Sequence, residues 1–421
     1  MKGFRNAPIQ RTENEALRRR RNLTSPHVSR VRNTVVERRD RPYFSDAQLS
    51  AFRLRRHHLD LRAPKGRLAS VVGDVCGVQT QVTVMARIAL WARLRQLTAD
   101  DIEQALVQKR SIVKTWSLRA ALHLHRSSDF SVVVGGLMPK RLLREQRWIH
   151  RAGLKEEETT RIVLNALKDG PLTRSRLSDS LNKKLGAWTR NWRDGGWGVK
   201  KVGSSLAWHL VDPAVARGLV CFGPPDGQEI TFVRVDQWIP GSSRIPPENE
   251  GEEELVRRYL HAFGPADAKD FRAWAGGYMT RIRGAIERLR DELVEVDSDG
   301  HNGYLLRKDL PDLERADVDR GVVRLLPSFD PFMQGHYSRG HLVDQARYRE
   351  VYKEAGWLAP VVLLDGRVVG TWSYRREPRK LVVNVTMFSP FTKGAREMVE
   401  EEAGDLSRFL ETSDASVRFT G

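Results

Sequence analysis

The chain has 421 residues, 40% of them hydrophobic and 29% charged, with two cysteines and a net charge of +18. That length implies about two to four domains, and the charge points to a polyanionic partner, nucleic acid first. Cys76 and Cys221 exclude a disulfide framework and a Cys-based zinc site, and no apolar run nears the roughly 20 residues of a membrane span. Residues 1–44 hold "RRRR" at 18–21 and little apolar periodicity, so they are expected to form a disordered basic arm. From about residue 46 helical patterns fall near 46–60, 66–76, 82–96 and 100–109, followed by the strand pair "SIVKTW" and "AALHLH".

A repeat then emerges. "LNALKDGPLTRSRLSDSL" (164–181) aligns with "RYLHAFGPADAKDFRAWA" (258–275), each with a helix end, Gly-Pro, and a Leu or Phe six residues after the Pro. Gly stops a helix and Pro cannot continue one, so Gly-Pro predicts a tight turn between helices. Each copy leads to a helix and a hairpin, expected at 198–210 in the second block and 293–307 in the third. Helices followed by a hairpin are the layout of a winged helix. The expected fold is α+β. Three tandem winged-helix units (45–150, 151–245 and 246–318) precede a β-rich, barrel-like domain (319–421), around a central DNA-binding channel. In that last part Asp365-Gly366 marks a hairpin turn. "RREPRK" (375–380) tips a second hairpin, and a helix is expected over about 393–411. Generic α+β packing is the rival reading of the repeats.

The chemistry-bearing motifs are few. No GxSxG, Walker loop, HExxH or GxGxxG after a strand occurs, and no carboxylate cluster has two-metal spacing. His57-His58 and His123-x-His125 read as surface or core histidines, so neither a metal nor another cofactor is expected. Basic residues interleave with aromatics in "RNWRDGGWGVKK" (190–201). The "RREPRK" tip has a shape that can enter a groove, its cations gripping phosphates; a solvated turn is the plain alternative. "GVQTQ" (77–81) places Gln79 and Gln81 just before a helix. Primary amides do not titrate near neutral pH, but each offers a donor and an acceptor. A polar cap on the following helix is the bland reading of the pair.

"GVQTQ" followed by "MARIALWARL" and "VKTWSLRAALHL" resembles the start of the AlkZ/YcaQ winged-helix DNA glycosylases. "DGPLTRSRL", "RLLPSFDPFMQGH" and "GWLAPVVLLDGRVVGTW" extend the likeness over residues 46–412. The resemblance implies an enzyme that cuts the N-glycosidic bond of alkylated purines and unhooks interstrand crosslinks. Its motif is Gln, an apolar residue, then Gln in the AlkZ branch or Asp in the YcaQ branch, so Gln79-Thr80-Gln81 falls with AlkZ. Thr80, Ala120-Ala121 and His125 depart from the usual pattern. On this reading Gln79 and Gln81 are catalytic, Gln81 positioning a water and Gln79 supporting it. Trp116, Arg119, His123, Arg375, Arg376, Arg379 and Lys380 are the expected DNA contacts. A monofunctional enzyme is implied, since no Lys stands out as a Schiff-base nucleophile. The expected partner is double-stranded DNA with alkylated or crosslinked purines, met by a monomer in the cytoplasm, at the nucleoid, away from membranes. A non-catalytic winged-helix regulator and a nucleoid or RNA-binding protein driven by the basic arm remain as rivals.

Overall fold

The computed structural model describes residues 41–185 and 206–421, apart from Ala152, Gln228, Pro240, Ser242, Ser243, Gly300, His301 and 317–320. Most of the basic arm and the segment 190–201 therefore lie outside the described residues. The chain opens with a two-residue strand, β1 (Tyr43–Phe44), and helix α1 (Asp46–Arg56). Ser45 starts α1, accepting from the Gln48 N–H while the Gln48 side chain returns to the Ser45 N–H. Strands β2 (Ala63–Pro64) and β4 (Leu94–Arg95) pair in parallel at the two ends of a helix–strand–helix stretch. That stretch is α2 (Leu68–Asp74), β3 (Val78–Gln79) and α3 (Thr83–Trp91), and the hairpin of β5 (Ile112–Trp116) and β6 (Leu122–Arg126) follows it.

With the short helix Ala99–Glu103 before that hairpin counted, the same order recurs twice. The second copy has helices Glu156–Ala166 and Arg174–Leu185 around β7 (Leu172–Thr173), then a helix Leu206–Ala216 and the hairpin of β8 (Val220–Phe222) and β9 (Thr231–Arg234). The third has helices Glu248–Phe263, Ala268–Ala275 and Met279–Arg288, then the hairpin of β10 (Leu293–Ser298) and β11 (Gly303–Leu306). In this copy Ala266 makes a single bridge to Tyr304 where the others have a short strand. Each Gly-Pro thus leads into a strand or bridge laid beside the copy's own hairpin before the next helix begins. The second hairpin lies at 220–234, not at 198–210. Residues 198–205 are outside the described set, and Leu206–Leu210 open a helix that buries Leu210, Val211, Ala214 and Val215 at helical spacing.

The first two copies share one six-stranded sheet, ordered β3-β6-β5-β8-β9-β7. The two hairpins abut at its centre, where β5 and β8 run antiparallel with Lys114 opposite Phe222. The C-terminal part is β12 (Val323–Leu326), β13 (Val361–Leu364), β14 (Arg367–Arg376), β15 (Lys380–Met387) and β16 (Asp414–Thr420), in that order across one sheet. Among the described residues it is open, which corrects the barrel expectation: β12 and β16 remain edges. A parallel β15–β16 pair requires a crossover, and the helix Lys393–Phe409 that supplies it packs against both β12 and β16. Its Val399, Ala403 and Leu406 are buried, so a helix covers a sheet face that closure would otherwise enclose.

The largest core joins the first copy to this sheet. Val71, Val75, Ile88, Leu90 and Trp91 of α2, α3 and their connection lie in one cluster with Leu325, Val361, Leu363, Val383 and Leu406. At its centre Arg93, just past α3, forms a fork–fork pair with Asp330, both bonds 2.7 Å and both side chains fully buried. This pair fixes the end of α3 against the loop after β12, and so fixes what lies at the other end of α3.

Candidate functional site

The Gln79–Gln81 segment is held by its backbone on one side. Cys76 and Gly77 turn the chain out of α2 with φ of 59° and 106°. A Cβ at Gly77 would lie 2.6 Å from the His125 ring, so both conformation and space require glycine there. β3 pairs antiparallel with β6, Gln79 opposite His123, and the Thr80 N–H extends the ladder to Leu122 O at 2.7 Å. Alternation along the strand sends Val78 and Thr80 into the core and leaves Gln79 half-buried and Gln81 exposed. The departure at Thr80 is thereby absorbed in packing.

The amides do not cap the following helix. Val82 is its N-cap residue, and no side chain accepts a bond there. The corresponding places in the other copies do carry caps: Thr173 Oγ1 accepts the Arg176 N–H at 3.2 Å, and Asp267 accepts from Lys269 and Asp270. The first copy forgoes that stabilisation, typically about 1 kcal/mol, and its two glutamines bond to each other instead. Gln79 Nε2 donates to Gln81 Oε1 at 2.9 Å.

A third amide continues the line. Gln334 Nε2 donates to Gln79 Oε1 at 3.1 Å, and Gln334 Oε1 accepts from an Arg119 Nη, whose other Nη donates to Trp274 O. Gln334 ends a single turn, Pro331–Gln334, that Asp330 caps by accepting the Phe332 N–H at 2.9 Å. Tyr352 Oη bonds Met333 O at 2.8 Å on the same turn. Phe329 before it, and Arg119 and Ala120 in the β5–β6 turn, have φ of 62°, 52° and 60°. Positive φ in a side-chain-bearing residue costs on the order of 1–3 kcal/mol and persists where the surroundings over-determine it. Such residues occur in all three segments that meet at Gln79.

The site carries a cation and two neutral imidazoles. Desolvation, then the neighbouring Arg339, lowers the Arg119 guanidinium to about 10, so it remains charged at neutral pH. Burial holds His123 well below the usual imidazole range, and pushes His125 down to about 4. His125 Nε2 meets Ser117 Oγ at 2.8 Å, and His123 Nδ1 meets Ala121 O at 3.1 Å. Beside Arg119 and Ala120 opens a cleft of about 490 Å³ whose lining includes Lys140, Arg147, Tyr278 and Arg281.

Of the expected site residues, the structure brings together Gln79, Gln81 and Arg119; the exposed Arg119 lines the cleft and donates to Gln334. Trp116 and His123 are corrections. Trp116 is 6% exposed, edge-on to Phe222 at 4.8 Å and covered by Arg141 at 4.5 Å, so it seals the joint between the first two copies. His123 is 2% exposed on β6, an interior strand of the sheet. Neither presents a surface to DNA. Arg375, Arg376 and Arg379 are exposed and Lys380 half-buried at the β14–β15 tip, where Arg375 pairs with Glu377 at 2.7 Å. Among the described residues no hydrogen bond or ion pair joins this tip to the glutamines. Gln334 escaped the sequence reading, and its only local signal is the Asp-Pro helix start four residues before it.

Comparison with known proteins identifies the family. Residues 72–409 match the family of AlkZ-like DNA glycosylases. A curated relative, the interstrand DNA cross-link repair glycosylase of Streptomyces sahachiroi, is 30% identical over 385 residues, which is 88% of this chain and 98% of that protein. The solved structure of Streptomyces sahachiroi DNA glycosylase AlkZ superposes with a TM-score of 0.74 at 28% identity, covering 90% of this chain and all of that one.

Proposed function

The chain belongs to the AlkZ-like family of DNA glycosylases, and from that premise we propose that it hydrolyses the N-glycosidic bond of purines alkylated at N7 or N3, interstrand crosslinks included, with Gln79 and Gln81 as the catalytic pair. The observation that carries this is the pairing itself: two amides, one hydrogen bond apart on one face, one exposed and neither capping a helix. The family leaves no room for the regulator reading, which has no use for such a pair.

An N7- or N3-alkylated purine is cationic and leaves without a strong general acid. The C1′–N bond breaks toward an oxocarbenium-like sugar, the purine departs with the bonding electrons and becomes neutral, and water adds to C1′ and loses a proton to solvent. Gln81, exposed at the end of the line, accepts a hydrogen bond from that water and aims it at C1′; half-buried Gln79 holds Gln81 in place. The three helix–strand–helix–hairpin copies (45–150, 151–245, 246–318) act as winged helices around a DNA channel, with 319–421 completing it, in a monomer.

Purified protein is expected to release free base from duplexes containing N7-alkylguanine or a nitrogen-mustard crosslink. Strand breaks should appear only after alkali, read on a denaturing gel. Breaks without alkali, or no base release from either duplex, would reject the monofunctional assignment or the substrate class respectively.

The β14–β15 tip is assigned to groove contact, because three of its four cations are exposed around Pro378. Arg376→Ala with Arg379→Ala should weaken binding to undamaged and damaged duplex alike and flatten the salt dependence, reducing the slope of log K against log salt by about 2. An unchanged slope in fluorescence anisotropy titrations would make the tip a solvated turn.

A further inference from the structure

We infer that Arg119 and Gln334 are positioning residues that set the direction in which the two catalytic amides face, an inference that rests on the assignment of Gln79 and Gln81 above. A carboxamide has two ends of nearly the same shape, and its partner decides which end goes where. Here the decision starts at Arg119. A guanidinium only donates, so the end of Gln334 that meets it is the oxygen. Nε2 of Gln334 then faces Gln79 and can only donate, which makes the contacting Gln79 atom Oε1, at 3.1 Å. Gln79 Nε2 is left facing Gln81 and takes Gln81 Oε1, at 2.9 Å.

One cation thus orients three amides in series. Every carbonyl points back toward Arg119 and every NH₂ points onward. Gln81 is left with one carbonyl lone pair for the nucleophilic water and both N–H bonds for acceptor oxygens of the DNA. Bonds aligned head to tail also polarise one another. Arg119 is itself held by Trp274 O and by a backbone at φ 52°. Gln334 is held on a turn fixed by Asp330 and Tyr352. The orienting groups come from a hairpin turn and from the loop after β12, while the oriented ones lie on β3 and two residues past it; only the folded chain assembles the series.

Gln334→Glu isolates the direction from the packing. A carboxylate is isosteric and strengthens the contact with Arg119, but it cannot donate to Gln79. Gln79 must then turn over to offer its NH₂, and Gln81 must turn over in response, so the series runs backwards with the fold intact. The expected result is a 10–100-fold slower single-turnover base release, the range for loss of an orienting partner. Affinity for undamaged duplex should stay within about twofold and the thermal midpoint should be unchanged. Arg119→Met frees the series to turn either way and should slow release about tenfold, with Arg119→Lys, also a pure donor, recovering part of that loss. A parent-like rate for Gln334→Glu, in a protein that Gln79→Ala and Gln81→Ala inactivate, overturns the inference and leaves the catalytic pair standing. Parent-like rates for Gln79→Ala and Gln81→Ala overturn the assignment on which it rests.

Discussion

A protein carrying Gln79→Ala and Gln81→Ala together releases no measurable base from alkylated or crosslinked DNA while its affinity for the duplex survives. The argument is one of differential stabilisation: a group that aims the nucleophile and faces developing charge acts in the transition state, not in the bound ground state. Loss of one such preorganised dipole costs about 10²–10³ in rate. Because Gln79 holds Gln81 at 2.9 Å, the two act as a unit. Either single substitution should therefore approach the double, and their effects should not multiply. Gln81→Ala should be the more damaging single change, since Gln81 is the exposed end of the series and Gln79 is half-buried behind it. Stability should scarcely move, because neither side chain fills core or caps a helix. Single-turnover base release, anisotropy binding and a thermal melt on the same preparations check the three parts. A double variant retaining more than about a tenth of the parent rate would place the chemistry elsewhere.

Much of this site was legible because its decisive features are local. Gln79 and Gln81 are two residues apart, and strand alternation alone puts them on one face. The Gly-Pro turns and the spacing of apolar residues gave the order of helices and the 293–307 hairpin, which the structure pairs from Leu293 opposite Leu306 onward. What was not legible depends on partners far along the chain. Gln334 lies 255 residues from Gln79 and reaches it only because α3 and the C-terminal sheet share a core. Trp116, expected as a DNA contact, is buried because β5 has β8 as a neighbour and Phe222 meets the indole. The strands after residue 322 were read correctly in type, but closure into a barrel is decided by which edges pair, a non-local choice. "LAWHL" at 206–210 shows the limit of short windows: five residues fit a period of 2 and one of 3.6 alike, and the helical burial shows only once Ala214 and Val215 are included.

Arg93→Met is expected to destabilise the fold by about 3–5 kcal/mol, a large part of the roughly 5–15 kcal/mol available to a typical domain. The cost arises less from the lost attraction than from the partner left behind. Both side chains of the Arg93–Asp330 pair are 0% exposed, so removing the guanidinium strands a carboxylate where no water reaches it. Arg93 also gives up its bond to Ala89 O, 2.8 Å, at the end of α3. Asp330→Ala strands the guanidinium instead and removes the cap on Pro331–Gln334, so it should cost at least as much. Where it is still folded, it should also slow base release, because that turn carries Gln334. The double variant Arg93→Met with Asp330→Asn separates the two contributions. It leaves no buried charge, and Asn caps a helix about as well as Asp, so it should be more stable than Arg93→Met alone despite carrying one more change. Urea unfolding at a constant slope measures this directly. A double variant less stable than Arg93→Met would mean that the pair's own hydrogen bonds, and not the stranded charge, hold α3 to the loop after β12.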